Sequence, residues 1–260
     1  MNIPKIIYCF WDSELTPFLK ECLNTWKLHN PNYKIIVINN KTINNYINID
    51  DYSFIDSPAR LSDILRLKIL SEKGGIWCDI STYMTESLDT ILNDNDNNYE
   101  IIGYSFPKSE CKNILESWFI ACKKNSEIMQ EWTNEFLNIK NVNEYVKNKY
   151  KYDINCKSYL NNYLAIHISY SYIIYKYPNF KNKVKLYNSL EGPYKIHNDV
   201  NFNPLLIALK FYFLKKCNKL PGPFIKCRKY DRFFYNYIYL FFIIAIVILI
   251  YLLKVINDTP

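Results

Sequence analysis

The sequence predicts an α/β fold, an open sheet flanked by helices, followed by a C-terminal membrane-spanning helix. Three observations predict it. An apolar run, a helical stretch and a second apolar run follow one another over residues 5–38. A second helical stretch over 57–73 leads through Gly74-Gly75 into a short apolar run that ends at Asp79. Late in the chain, Phe233 to Leu253 gives 21 residues without a charge.

The elements follow in order. Lys5 to Phe10, KIIYCF, is an apolar run of strand length. Thr16 suits a helix cap, with Pro17 at the first helical position. Phe18, Leu19, Cys22, Leu23 and Trp26 then recur at helical spacing, and His29-Asn30-Pro31 stops the helix. Lys34 to Ile38, KIIVI, is the second strand, and the short connections predict that the pair is parallel. Ser57-Pro58 opens the next helix by the same cap-and-proline signal. Leu61, Ile64 and Leu65 form its buried stripe, and Gly74-Gly75 ends it. Ile76-Trp77-Cys78 is a short strand with Asp79 at its end. Ligands of open α/β sheets bind beyond the carboxyl ends of the strands, which places Trp11 and Asp79 at the predicted ligand edge. Further on, 93–98 reads as a polar loop, Ile101–Phe106 as a strand, and 114–137 as a helix. Residues 138–158 read as an exposed polar stretch, Leu160–Tyr175 as an apolar helix, Leu190–Asp199 as a loop, and 204–216 as an amphipathic helix near a membrane.

The charge is placed unevenly. The net charge is +7, and residues 205–232 alone hold eight basic side chains against one acid, Asp231. A nucleic-acid binder would spread its basic footprint over a domain face, so no nucleic-acid partner is expected. The apolar run that follows is long enough to cross about 30 Å of hydrocarbon, with tyrosines near both ends as at membrane interfaces. The domain reading is 1–203 as a catalytic domain, 204–232 as a basic juxtamembrane segment, 233–256 as the transmembrane helix and 257–260 as a short tail. Positive charge on the N-terminal flank predicts a single-pass C-terminal anchor with residues 1–232 on the cytoplasmic side. The eight cysteines form no C-x-x-C pair and read as reduced, packed thiols.

The chemistry concentrates in the unit from Ala59 to Thr82. Asp63 and Arg66, three apart, share one helix face away from the Leu61/Ile64/Leu65 stripe. Read alone, they make an exposed ion pair, and Asp79 is an ordinary strand-end acid. The linear pattern adds more. Ser62-Asp63-Ile64-Leu65-Arg66, then Gly74-Gly75-Ile76-Trp77, then Asp79-Ile80-Ser81 resembles the signature of the capsular polysaccharide synthesis proteins and the glycosyltransferase family 32 enzymes. The clostridial glucosylating toxins share a related unit. Ile3 to Ile7 with Trp11, Glu116 to Ile128, Glu191-Gly192-Pro193 and Pro223 to Lys226 also resemble the capsular-synthesis group, so the likeness covers about residues 3–232.

The resemblance implies a GT-A-like fold, a nucleotide-sugar-binding sheet flanked by helices. It implies a glycosyltransferase acting on a nucleotide-sugar donor, a UDP-sugar first among the candidates, with retained anomeric configuration and a glycan or lipid-linked acceptor. It implies Mn²⁺ or Mg²⁺ on a D-x-S version of the D-x-D motif: Asp79 as ligand, Ser81 as hydroxyl ligand, and His197 after Gly192-Pro193 as a further ligand. Hard cations take oxygen ligands, which suits a strand-end carboxylate. By the same resemblance Asp63 binds donor hydroxyls, Arg66 orients the sugar and balances charge, and Trp11 stacks on the base. Asp63, Arg66 and Asp79 form the catalytic set. Lys226 stands where a basic residue meets a diphosphate, or else belongs to the lipid-facing cluster. His167, among apolar residues, reads as structural. Two alternatives stand beside this reading. Ser81 in place of a second Asp, and Trp11-Asp12-Ser13 in place of Trp-x-Gly, fit a catalytically degenerate, membrane-tethered binder. A dinucleotide-dependent oxidoreductase lacks its G-x-G-x-x-G after the first strand.

Overall fold

In the computed structural model the described residues are 3–52, 57–92, 99–107, 114–149, 162–237, 240, 243–244 and 246–250. The first half follows the expected order. Strand β1 (Ile6–Phe10) leads to α1 (Pro17–His29), β2 (Lys34–Ile38), α2 (Pro58–Lys73) and β3 (Gly75–Cys78). Thr16 caps α1, its hydroxyl accepting from the Leu19 N–H at 3.4 Å. Ser57 precedes Pro58 at the start of α2 without a side-chain cap bond. Gly74 ends α2 with φ of 64°. A Cβ there would stand 2.6 Å from the Lys124 backbone nitrogen, so the turn from α2 into β3 requires glycine.

The second half adds β4 (Thr82–Met84), α3 (Asp89–Leu92), β5 (Ile101–Ser105), β6 (Phe119–Cys122), α4 (Glu127–Leu137) and α5 (Val142–Lys149). Then come α6 (Ala165–Lys176), β7 (Val184–Asn188), α7 (Lys195–Asp199), α8 (Pro204–Lys216), β8 (Phe224–Lys226) and α9 (Lys229–Asn236). Six strands form one sheet in the order β2-β1-β3-β6-β5-β7. Strand β1 is parallel to both β2 and β3, as is β5 to β7. Strand β6 runs antiparallel to β3 and β5.

Alternation along the central strands builds two cores. Tyr8, Trp77, Ile120 and Cys122 face the side covered by α2, α4 and α6. Ile7, Cys9, Ile76, Cys78, Phe119 and Ala121 face the side covered by α1, α8 and β8. Both faces are therefore apolar, as a helix-covered sheet requires. Cys9, Cys22, Cys78, Cys122 and Cys227 are buried thiols and Cys217 is exposed; Cys111 and Cys156 lie outside the described residues.

The structure corrects several expectations. The helix expected over 114–137 is strand β6 followed by helix α4. Phe119 to Cys122 is buried on both faces, so it reads as a continuous apolar run with no period to separate strand from helix. Asn125 then takes φ of 61°, and Ser126 caps α4, its hydroxyl accepting from the Met129 N–H at 3.3 Å. The polar stretch 138–158 contains α5, which buries Val142 and Tyr145, while its part from 150 onward lies outside the described residues. The polar loop 93–98 also lies outside them.

Residues 204–232, expected as a juxtamembrane appendage, pack into the body. Helix α8 buries Ile207, Ala208 and Phe211, and β8 pairs with β4. Among the described residues, no helix is long and apolar enough to cross a membrane. The span expected over 233–256 falls partly outside the described residues. Within it Leu240, Ile243, Ile244 and Ile246 to Ile250 are exposed.

Candidate active site

The site is built on the carboxyl end of β3. The Asp79 N–H donates to the Trp118 carbonyl (2.8 Å), which fixes the turn after the strand. Asp79 Oδ1 accepts from Arg66 Nη2 at 3.0 Å and from Trp77 Nε1 at 3.1 Å. Its other oxygen, Oδ2, accepts from Lys226 Nζ at 2.8 Å. Arg66 also donates Nη1 to Asp63 Oδ1 at 2.6 Å, and its guanidinium lies 4.9 Å above the Trp77 ring. The Asp63–Arg66 pair is thus not a solvated surface bridge. Arg66 and Asp63 are both buried, at 4% and 9% exposure, because the face of α2 that carries them turns into the end of β3.

These neighbours set the charges. Burial pushes the Asp79 carboxyl up, but Lys226 and then Arg66 outweigh this and hold it below the ordinary carboxylate range. Burial pushes the Asp63 carboxyl up to about 6 despite the opposing pull of Arg66. Two carboxylates and two cations therefore share one partly dry cluster, and Asp79 is its firmly ionised member.

Lys226 arrives from a strand 147 residues later in sequence. Antiparallel pairing sets Thr82 opposite Lys226 and Met84 opposite Phe224, and the Cys227 N–H donates to the Ser81 carbonyl at 3.0 Å. That register brings the Lys226 ammonium between the two residues of the D-x-S unit. It donates to Asp79 Oδ2 and, at 3.0 Å, to Ser81 Oγ. The side chain is 9% exposed and lies near the Trp118 ring, 5.8 Å from its centre.

The donor set suits the expected divalent ion poorly. Asp79 and Ser81 supply one carboxylate and one hydroxyl, and both already serve Lys226. Small divalent ions are held by one or two carboxylates, with water and substrate phosphate supplying further oxygens, so it is the ammonium already seated on both side chains that opposes the ion. Among the described residues, no group of three His, Cys, Asp or Glu side chains is placed to hold a metal. A dication about 4 Å from one ammonium is repelled by roughly 8 kcal/mol at an effective dielectric of about 20. The residues present do not fit the ion.

His197 is not in this cluster. Helix α7 turns it inward, where it is fully buried, and its Nε2 lies 2.8 Å from Asp231 Oδ2 of α9. Burial pushes the Asp231 carboxyl up, but His197 and Arg228 together hold it below the ordinary range. This contact ties the loop after Gly192-Pro193 to the C-terminal helix. The expectation of a metal-ligating His197 is corrected to a structural one.

A cleft of about 640 Å³ opens over the cluster, within the size range of small-molecule sites. Asp63, Arg66, Asp79, Ser81 and Lys226 line its floor, and Trp11 lines one wall. Trp11 follows β1, its N–H bonded to the Ile38 carbonyl at 2.9 Å, and the Arg232 guanidinium lies 5.6 Å from its ring. His167 also lines the cleft; burial first and Arg66 second lower its imidazole to about 4, so it stays neutral.

Sequence reasoning missed two features. Arg228, Lys229 and Arg232 line the cleft beside Lys226; their place next to the long apolar run disguised them as lipid-facing. Glu116 lines it too, its Oε2 accepting from Trp118 Nε1 at 3.2 Å. Burial pushes the Glu116 carboxyl up to about 7, against hydrogen bonds from Trp118 and Ser189. The available signal was a lone acid within an otherwise apolar run.

A search of curated proteins finds no match. Among solved structures the chain is similar to the PaToxG glycosyltransferase, at 14% identity over 90% of this chain and 84% of that one, with a TM-score of 0.45. It is similar to a glycosyltransferase involved in the glycosylation of the major capsid of PBCV-1, at 10% identity over 87% and 95%, with a TM-score of 0.48. It is also similar to the galactosyltransferase LgtC in complex with donor and acceptor sugar analogs, at 11% identity over 86% and 87%, with a TM-score of 0.45. The family model described as capsular polysaccharide synthesis protein matches residues 1–201, which hold Asp63, Arg66, Asp79 and Ser81, and the chain belongs to that family.

Proposed function

We propose that this chain is a glycosyltransferase that moves a sugar from a nucleotide-sugar donor to a glycan or membrane-associated acceptor. One observation carries the reading. Asp63, Arg66, Asp79 and Lys226 converge at the end of β3 in a single cleft with a basic wall.

The division of labour follows from that geometry. Lys226, Arg228, Lys229 and Arg232 supply positive charge for a diphosphate. Trp11 offers an indole face to a base, a UDP-sugar being the first donor to try. Asp63, held by Arg66, accepts from donor hydroxyls. During transfer the bond between the anomeric carbon and the diphosphate oxygen breaks, with its electrons on phosphate. The acceptor hydroxyl forms the new bond, and its proton goes to a departing phosphate oxygen. That route retains configuration and needs no second carboxylate as base. The exposed side chains of Ile243, Ile244 and Ile246 to Ile250 support a membrane anchor, and flotation of the full-length protein with lipid vesicles tests it. The positive-inside bias then favours the cytoplasmic side.

The test is release of free nucleotide from a panel of UDP- and GDP-sugars by the full-length protein, with Asp79→Asn beside it. Release from one donor, reduced roughly 100-fold or more in the variant, supports the reading. Binding of a donor without release supports the degenerate binder, and binding of none overturns both.

A further inference from the structure

We propose that Lys226 replaces the divalent ion at this site, so that donor binding and sugar transfer need no metal. The inference rests on the nucleotide-sugar reading above and deepens it. The ammonium stands where the D-x-S unit would hold a cation, 2.8 Å from Asp79 Oδ2 and 3.0 Å from Ser81 Oγ. A lysine ammonium has three donors. Two go to Asp79 and Ser81, and the third is left for a phosphate oxygen.

The position is built, not incidental. Strand β8 is locked to β4 by its ladder, the Lys226 N–H donates to the Pro193 carbonyl at 3.1 Å, and the side chain is nearly enclosed. The serine at position 81 fits the same logic. A second aspartate would suit a dication, whereas a hydroxyl accepts one N–H and leaves the charge of a monocation paired with Asp79 alone. In the transfer step the electrons of the breaking bond arrive on a phosphate oxygen. Lys226 and its basic neighbours, Arg228, Lys229 and Arg232, meet that charge, and the acceptor proton ends on the leaving phosphate.

The experiment uses the full-length protein, stripped of metals, with uridine and guanosine diphosphates as probes. Binding is followed by calorimetry in excess EDTA and again in excess MnCl₂. Bound Mn²⁺ is counted separately by loss of the free-ion paramagnetic resonance signal, with each nucleotide alone as the blank. The expected result is one nucleotide bound equally well in EDTA and in Mn²⁺, with no Mn²⁺ taken up beyond the blank. Lys226→Met is expected to weaken that binding roughly 10- to 100-fold, the worth of one charged hydrogen bond. Binding lost in EDTA and restored by Mn²⁺, or one Mn²⁺ held per chain, would overturn the proposal. So would a folded Lys226→Met that binds in EDTA as the wild type does. If that variant fails to fold, the wild-type calorimetry and Mn²⁺ count still decide. Failure to bind either nucleotide under both conditions, with no release from any nucleotide sugar, would sink the donor reading itself and this assignment with it.

Discussion

At the residue scale, the cleft turns on how four charges are shared. Asp79 engages three donors on its two oxygens, so its neighbours fix both its ionisation and its direction. Glu116 is held differently. Its folded-state value near 7 lies above the ordinary 4.5, so the folded chain binds the extra proton between those values. Stability is then lost as pH rises from about 4.5 through 7, where burying the charged form opposes folding. Glu116→Gln should remove that loss. Thermal melts of variant and wild type should converge near pH 4 and separate near pH 8 in favour of the variant. His197→Ala should cost roughly 2–5 kcal/mol, because it strips a buried partner from Asp231 and leaves a hole. Denaturant unfolding reads that cost, and the count of bound Mn²⁺ should not change. Of these residues Asp63, Arg66 and Asp79 were legible, because a fixed linear spacing carries them. The burial that turns a surface pair into a site was not, since the spacing of Asp63 and Arg66 fits a solvent-facing helix equally well.

At the element scale, the turn between α2 and β3 aims Asp79. Gly74 has positive φ and no room for a Cβ beside Lys124. Gly74→Ala should destabilise the chain by roughly 2 kcal/mol or more, seen as a lower urea midpoint. Donor binding should fall with it, since β3 leads directly into Asp79. Strands β1, β2 and β3 and helices α1 and α2 were readable because caps, prolines and periods agreed there. Strand β6 was not, because a strand buried on both faces lacks alternation. Strand β8 was not either. Its three residues, Phe224 to Lys226, sit in a basic stretch and acquire meaning only through pairing with β4.

At the scale of the whole molecule, the family resemblance and the working site have different extents. The matched region ends at 201, yet Phe211, Phe224, Ile225 and Cys227 belong to the core on the α1 side of the sheet. A chain ended at residue 201 should therefore lose its cooperative melt and aggregate, which circular dichroism and gel filtration would show. The division into a catalytic domain and a basic appendage followed composition, which shifts near 204. Packing ignores that shift, because α8 and β8 bury apolar side chains in the core while Lys226, Arg228, Lys229 and Arg232 line the cleft. The charge excess noted in the sequence is thus partly a cleft lining.

The pairing of β8 with β4 also puts a clock on synthesis. A ribosome adding roughly 5–20 residues each second completes Asp79 about seven to thirty seconds before Lys226, which follows it by 147 residues. Through that interval the growing chain carries a carboxylate without its ammonium. Under the role proposed for Lys226, a nascent polypeptide stays idle until the rest of its body has been made.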